Sequence, residues 1–240
     1  MSVTTATFTS DEMMAVAAAR LLRDGMVCFV GIGLPSQAAN LARRTSAPGL
    51  VLVYESGTIG AKPTRLPLSL GDGELAETAD SVVSVPEIFA YWLQAGRIDV
   101  GFLGAAQIDR FANLNSTVIG SYDHPQVRLP GAGGAPEIAT SAREVFVMLR
   151  QSPRTFVSQL DFRTTSGTAV STVVTDLGVL EPRGRERELT LTCVHPGVTV
   201  EHAREATGWE LRVAEELSVT PAPTDAELAA LRALEPRAVS

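Results

Sequence analysis

The chain has 240 residues, enough for one large domain or two small ones. Hydrophobic residues make up 45% and charged residues 20%, which is ordinary for a well-packed soluble domain, and no apolar run reaches the roughly 18 residues of a membrane span. A net charge of -7 argues against a general nucleic-acid binder but leaves room for a local anion pocket.

Residues 1–10 are polar and lack Lys and Arg, so they read as neither a secretory signal nor a basic transit peptide. The spacing Thr9-Ser10-Asp11-Glu12 is a capping box that opens a helix, with Gly25 as the expected stop after Leu21-Leu22-Arg23-Asp24. Residues 26–30 read as a buried strand running into Gly31-Ile32-Gly33-Leu34-Pro35. A helix over 36–44 follows, then a second apolar strand over 50–54. Strand, helix and strand, with continuous apolar strands, is the pattern of a parallel sheet covered on both faces.

Further along, 81–84 reads as a short strand and 86–95 as a helix with Pro86 near its first turn. Residues 99–103 form a strand leading into Gly104-Ala105-Ala106-Gln107, and 116–119 another strand. Gly131-Ala132-Gly133-Gly134-Ala135 is a second glycine-rich loop. Strands follow over 144–149, 171–175 and 188–194, and a helix over 199–207. Thr224-Asp225-Ala226-Glu227 is a second capping box, opening a helix to about residue 234. Aromatics are only 5%, so the core is aliphatic and alanine-rich, which suits helices packed on a sheet. The whole, 1–240, reads as one α/β domain on which the segment from about 200 to 240 packs as a tail.

Cys28 and Cys193 lie in apolar strand-like runs and read as reduced core thiols of a cytoplasmic protein. Two cysteines make no metal site, and His124, His195 and His202 have no ligand spacing, so no metal is expected. His195 reads as a strand end. There is no nucleophile elbow and no phosphate-binding Walker loop.

Two glycine loops and one acid carry the chemistry. Gly31 to Pro35 lies between a strand and a helix, where glycines let a ligand approach backbone N–H groups and the helix N-terminus favours negative charge. Glu55 ends an apolar strand, at the sheet edge where ligands bind in open α/β folds, and a carboxylate is costly to bury there without a role. Ser56 and Gly57 then turn the chain. The second loop offers a row of N–H donors to an oxyanion, so Glu55 is read as a nucleophile toward a thioester carbonyl. From the residues alone, an ion-paired strand end or tight turns explain the same positions. A dinucleotide-binding reading also stays open: Gly31-x-Gly33 is followed by an acid 24 positions on, although its third glycine is replaced by Ser36. Lys62, Arg65 and Arg128 are the cations nearest the loops in sequence, for a CoA phosphate or a substrate carboxylate. Gln107, Asn113 and Asn115 are candidates to order the acid by hydrogen bonds.

These motifs, in this order and at this spacing, resemble the β subunits of class I CoA-transferases, in the branches acting on glutaconate and 3-oxoadipate. The run from Gly60-Ala61-Lys62-Pro63 through Gly71-Asp72-Gly73-Glu74-Leu75-Ala76-Glu77-Thr78-Ala79-Asp80 is most similar to β subunits of the 3-oxoadipate branch. The resemblance covers residues 12–234. It implies an open, mostly parallel sheet with helices on both faces, the CoA-transferase (NagB/RpiA-like) fold. It implies a separate α subunit, an α2β2 hetero-oligomer, and CoA esters as substrates with no permanently bound cofactor. The implied reaction is ping-pong transfer of CoA from succinyl-CoA to 3-oxoadipate, in the β-ketoadipate route of aromatic breakdown, with Glu55 carrying CoA as a thioester. Gly31, Ile32, Gly33, Leu34 and Pro35 are implied to sit near CoA and the oxyanion. Gly131, Ala132, Gly133 and Gly134 are implied oxyanion donors, and Ser56, Gly57, Lys62, Gln107 and Asn115 line or support the substrate. Relatives that hydrolyse or decarboxylate CoA esters on this fold lack the glutamate. One departure is the short run Thr164-Thr165-Ser166-Gly167-Thr168-Ala169-Val170, where relatives carry a longer glycine-rich insertion; it bears on which acid accepts CoA.

Overall fold

The computed structural model describes residues 7–234, so most of the expectation for residues 1–10, and the last six residues of the expected tail, lie outside it. The first capping box forms as read. Thr9 Oγ1 accepts from Glu12 N and the Glu12 carboxylate accepts from Thr9 N, which starts α1 (Ser10–Ala19). The helix ends at Ala19 rather than near Gly25. The chain tightens there to keep Leu22 in the core, and Gly25, with φ 77°, serves the turn into β1 (Val27–Val30). Next, α2 (Leu34–Arg44) starts two residues earlier than expected. Gly33 adopts φ 85° as its N-cap, and Pro35, expected in the loop, sits in the first turn where its missing N–H costs nothing.

After β2 (Val51–Tyr54), the chain folds through β3 (Thr58–Ile59), α3 (Gly73–Glu77), β4 (Ser81–Val82) and α4 (Val85–Glu87). The helix expected over 86–95 instead continues as a π-helical segment, Ile88–Leu93. Then come β5 (Val100–Leu103), β6 (Gln107–Ile108), β7 (Leu114–Asn115), β8 (Val118–Gly120), β9 (Pro125–Arg128) and α5 (Ala135–Ser141). The strand read at 116–119 does not join the main sheet: β8 pairs with β9, and β6 with β7, as two separate hairpins. The remainder is β10 (Glu144–Met148), β11 (Val170–Val174), β12 (Gly178–Arg183), β13 (Glu188–Val194), α6 (Val200–Glu205), β14 (Arg212–Val219) and α7 (Asp225–Arg232).

Ten strands form one sheet in the order β14-β13-β12-β11-β10-β5-β1-β2-β3-β4. Its centre, β11 to β2, is parallel throughout, and antiparallel pairs flank it. Alternate residues of the central strands feed two cores. Cys28, Val30, Leu52, Tyr54 and Phe102 face one that includes α1, α2 and Leu231 of α7. Phe29, Val53, Leu103, Val145 and Val147 face the other, with Ile138 of α5, Ile88 and Leu93 of the π-helical segment and Ala203 of α6. Helices therefore cover both faces, as the sequence pattern required.

The segment after residue 200 supplies the edge strand β14 and the helix α7. Helix α7 is fixed to α1 by a two-pronged ion pair, Arg20 Nε to Glu227 Oε1 at 2.8 Å and Nη2 to Oε2 at 2.7 Å. Cys28 is buried, whereas Cys193, expected in the core, is only partly so and lies 3.0 Å from Ser218 Oγ on the neighbouring strand. Both thiols are free. Among the described residues no helix is long and apolar enough to cross a membrane.

Candidate active site

Strand β1 lies between β2 and β5, so the chain leaves it in both directions across the sheet. Ligands in open α/β sheets bind beyond the carboxyl ends of the strands at such a switch point. A cavity of about 600 Å³ opens there. The strand ends supply Gly31 and Ile32 after β1, Glu55 after β2 and Gly104 after β5, while residues 130–135 close another side. Phe29, Val30, Phe102, Leu103, Leu70 and Ile138 make the rest of the wall apolar. Among the described residues forming that wall, Glu55 is the one charged side chain.

Glu55 is held from behind by its neighbour. Tyr54 is fully buried, and its hydroxyl lies 3.2 Å from Ser36 Oγ and 3.4 Å from Asn40 Nδ2, both on α2. Burial pushes the phenol above its ordinary range, so it stays neutral at the end of β2. The chain then reverses: Gly57 N donates to Tyr54 O at 3.0 Å. Gly57 has φ 112°, and a methyl there would collide with Val83 O, so only glycine makes this turn. Glu55, half-buried, is left facing the cavity.

The second glycine loop comes to it. Ser116 anchors the loop twice, accepting from Gly131 N at 2.9 Å through its backbone oxygen and donating through Oγ to Gly131 O at 2.9 Å. The loop closes where Ala135 N donates to Ala132 O, and α5 starts with Gly134 as N-cap. Among the described residues, no hydrogen bond takes up the N–H groups of Ala132, Gly133 or Gly134. A methyl built on Gly134 would stand 3.3 Å from Glu55 Oε1, so carboxylate and loop are in contact. A carboxylate beside unengaged N–H donors in an apolar cavity can attack an acyl carbonyl while the donors hold the oxyanion.

Other expected residues lie elsewhere. Gly33, Leu34 and Pro35 are off the cavity wall and serve the start of α2. Ser56 and Gly57 form the turn; Ser56 Oγ is buried without a hydrogen-bond partner among the described residues. Gln107 and Asn115 bond to each other at 2.7 Å, and Gln107 Nε2 to Asp161 at 2.9 Å, so they brace the β6–β7 hairpin rather than the acid. Asn113 is engaged by Asp109. Lys62 pairs with Asp80, Arg65 binds Asp72 in a fork at 2.8 and 2.9 Å, and Arg128 stacks 4.8 Å from the Tyr122 ring. None of the three reaches the cavity wall. His195 follows the end of β13 and is buried, as read, with Nε2 2.9 Å from Thr175 O. Sequence reasoning missed Phe29, Leu70, Phe102, Pro130 and Ile138, which are apolar and carry no signal of their own; Gly104 was signalled by its place at the end of an apolar strand.

The likenesses to known proteins bear on this geometry. Residues 11–206 match the family described as coenzyme A transferase. Over 96% of this chain and 94% of the other, the sequence is 60% identical to the B chain-type component, the second of the two subunits, of 3-oxoadipate CoA-transferase from Pseudomonas knackmussii. The fold matches glutaconate coenzyme A-transferase from Acidaminococcus fermentans with a TM-score of 0.89 at 29% identity, over 95% of both chains. It matches the decarboxylase AibA/AibB with a TM-score of 0.88 at 32% identity, over 97% of both chains.

Proposed function

The chain belongs to the coenzyme A transferase family, and from that premise we propose that it is the β subunit of an enzyme moving CoA from succinyl-CoA to 3-oxoadipate through a thioester on Glu55. The observation that carries this reading is the contact between Glu55 and the Gly134 end of a loop whose N–H groups are unengaged.

Glu55 attacks the succinyl-CoA carbonyl; the oxyanion collapses, expels CoA thiolate and leaves a succinyl-glutamyl anhydride. The thiolate attacks the glutamyl carbonyl, releasing succinate and forming the glutamyl-CoA thioester. A carboxylate of 3-oxoadipate attacks that thioester and expels the thiolate again. The thiolate then takes the 3-oxoadipyl carbonyl of the new anhydride, giving 3-oxoadipyl-CoA and free Glu55. Each step passes through an oxyanion, which the N–H groups of residues 132–134 are placed to receive; one such donor is worth roughly 10²–10³ in rate. An apolar wall strengthens those bonds by keeping water out.

A distinct α subunit is part of the proposal. The relative in Pseudomonas knackmussii is named as one subunit of its enzyme, not as the whole. The wall around Glu55 has no cation among the described residues, yet both substrates are anionic, so the partner supplies the countercharge. We read the chain as one domain of a cytoplasmic α2β2 enzyme of aromatic breakdown, with CoA esters as substrates and no resident cofactor. The test is to co-express the two chains and offer succinyl-CoA with 3-oxoadipate, glutaconate and shorter 3-oxo acids. The reading expects 3-oxoadipyl-CoA as the fastest product. Preference for another acid moves the acceptor, and release of carbon dioxide or of free CoA alone would replace transfer by decarboxylation or hydrolysis.

A further inference from the structure

Gly134 is not explained by its backbone. Its φ is −81°, a conformation open to any residue. What excludes a side chain is space: a methyl there would lie 2.9 Å from Cζ and 3.1 Å from Cε1 of Phe89, as well as 3.3 Å from Glu55 Oε1. The ring edge of Phe89 and the carboxylate of Glu55 thus press on the same point of the loop.

Phe89 reaches that point because of the π-helical segment. Gln94 N donates to Phe89 O at 2.8 Å and Arg97 N to Trp92 O at 2.9 Å, both five residues apart. The widened turn lets Ile88 and Leu93, each 0% exposed, anchor in the core while Phe89 stands against the loop. Such turns are rare and recur at functional sites. Phe89 is further fixed edge-on to Phe29 of the cavity wall, with centroids 6.2 Å apart and planes at 62°.

We propose that Phe89 is a positioning residue for the transfer: through Gly134 it sets how closely the N–H groups of residues 132–134 approach the Glu55 carboxylate. This rests on the reading of Glu55 as the nucleophile. Phe89 itself does not touch the reacting acyl group; it acts by defining the distance between nucleophile and oxyanion donors, to which transfer rates are steeply sensitive.

The test uses the assembled two-subunit enzyme and the exchange of CoA between succinyl-CoA and succinate. F89L removes the ring edge and lowers kcat about tenfold, with KM for succinyl-CoA within about twofold of wild type. G134A crowds the same point and lowers kcat about a hundredfold. In the double variant the methyl occupies the space the ring vacated, and kcat recovers about tenfold over G134A alone. F89Y keeps the core packing but adds an oxygen at Cζ, the atom nearest Gly134, and also lowers kcat. Unchanged kcat in F89L and F89Y, or single effects that simply multiply in the double variant, overturns the proposal. Glu55→Ala is run in parallel. If it still exchanges CoA, the nucleophile reading falls; if it is dead while the Phe89 variants match wild type, only the role of Phe89 falls.

Discussion

Val30 and Tyr54 are partners in the parallel register of β1 and β2, so the next residue of each strand, Gly31 and Glu55, leaves the sheet beside the other. The sheet thus does by register what no local motif could do alone: it puts an open backbone next to a carboxylate at the mouth of a cavity. The oxyanion donors come from a loop some eighty residues further on, held by Ser116 and Phe89.

The two glycines flanking Glu55 in space should separate binding from folding. A methyl on Gly31 meets no atom within 4 Å, so Gly31→Ala should keep wild-type stability while intruding on the cavity. KM for succinyl-CoA should rise roughly fivefold, on the order of 1 kcal/mol for one misplaced methyl. Steady-state kinetics and thermal unfolding of the same preparation check both halves.

Gly57→Ala should do the reverse. With φ 112° and Val83 O in the way of the new methyl, the turn after Glu55 has to open. Loss of about 2 kcal/mol or more in chemical denaturation is expected, with activity falling as the end of β2 shifts.

His195 predicts the pH dependence of folding near neutrality. Burial holds its imidazole below the ordinary 6.5, outweighing the hydrogen bond to Thr175 O and the charge of Asp176. The unfolded chain therefore takes up this proton first as pH falls. The associated stability is present above pH 6.5 and is lost as pH drops through that value toward the folded pKa. Unfolding free energies measured from about pH 7.5 to about 5.5 should decline by at most ~1.4 kcal/mol per pH unit from this group. His195→Gln should flatten that decline.

Glu227 acts in a more acidic window. The Arg20 guanidinium lowers its carboxyl from 4.5 to about 2. Stability from this pair is full above pH 4.5 and is lost as pH falls from there toward 2. Glu227→Gln should lower stability at neutral pH and remove this part of the acid dependence, measured by circular dichroism during acid titration.

Most of the central sheet was legible because its strands are short, continuous apolar runs, and both capping boxes formed where Thr9 and Thr224 place them. Glu55 and the second glycine loop were legible from strand end and glycine density. Strands β12 and β14 were not: Glu181-Pro182-Arg183 and Glu215-Glu216 break the apolar run, since β12 continues to an exposed end and β14 is an edge strand. Gly33 to Pro35 looked like part of the ligand loop because sequence does not distinguish a glycine that caps a helix from one that admits a ligand. Lys62, Gln107 and Asn115 were drawn toward the site by proximity in sequence, but Asp80 and Asp161, which engage Lys62 and Gln107, lie 18 and 54 positions away. The π-helical turn left no signal in the pattern, because a helical periodicity cannot register one extra residue in one turn.

Trapping the covalent intermediate tests the role of Glu55 most directly. The assembled enzyme is incubated with succinyl-CoA, reduced with borohydride, digested and read by mass spectrometry. If Glu55 carries CoA as a thioester, its side chain is reduced to a primary alcohol only when the CoA ester was present. An enzyme that transfers CoA at full rate yet leaves Glu55 unmodified under these conditions would contradict that role.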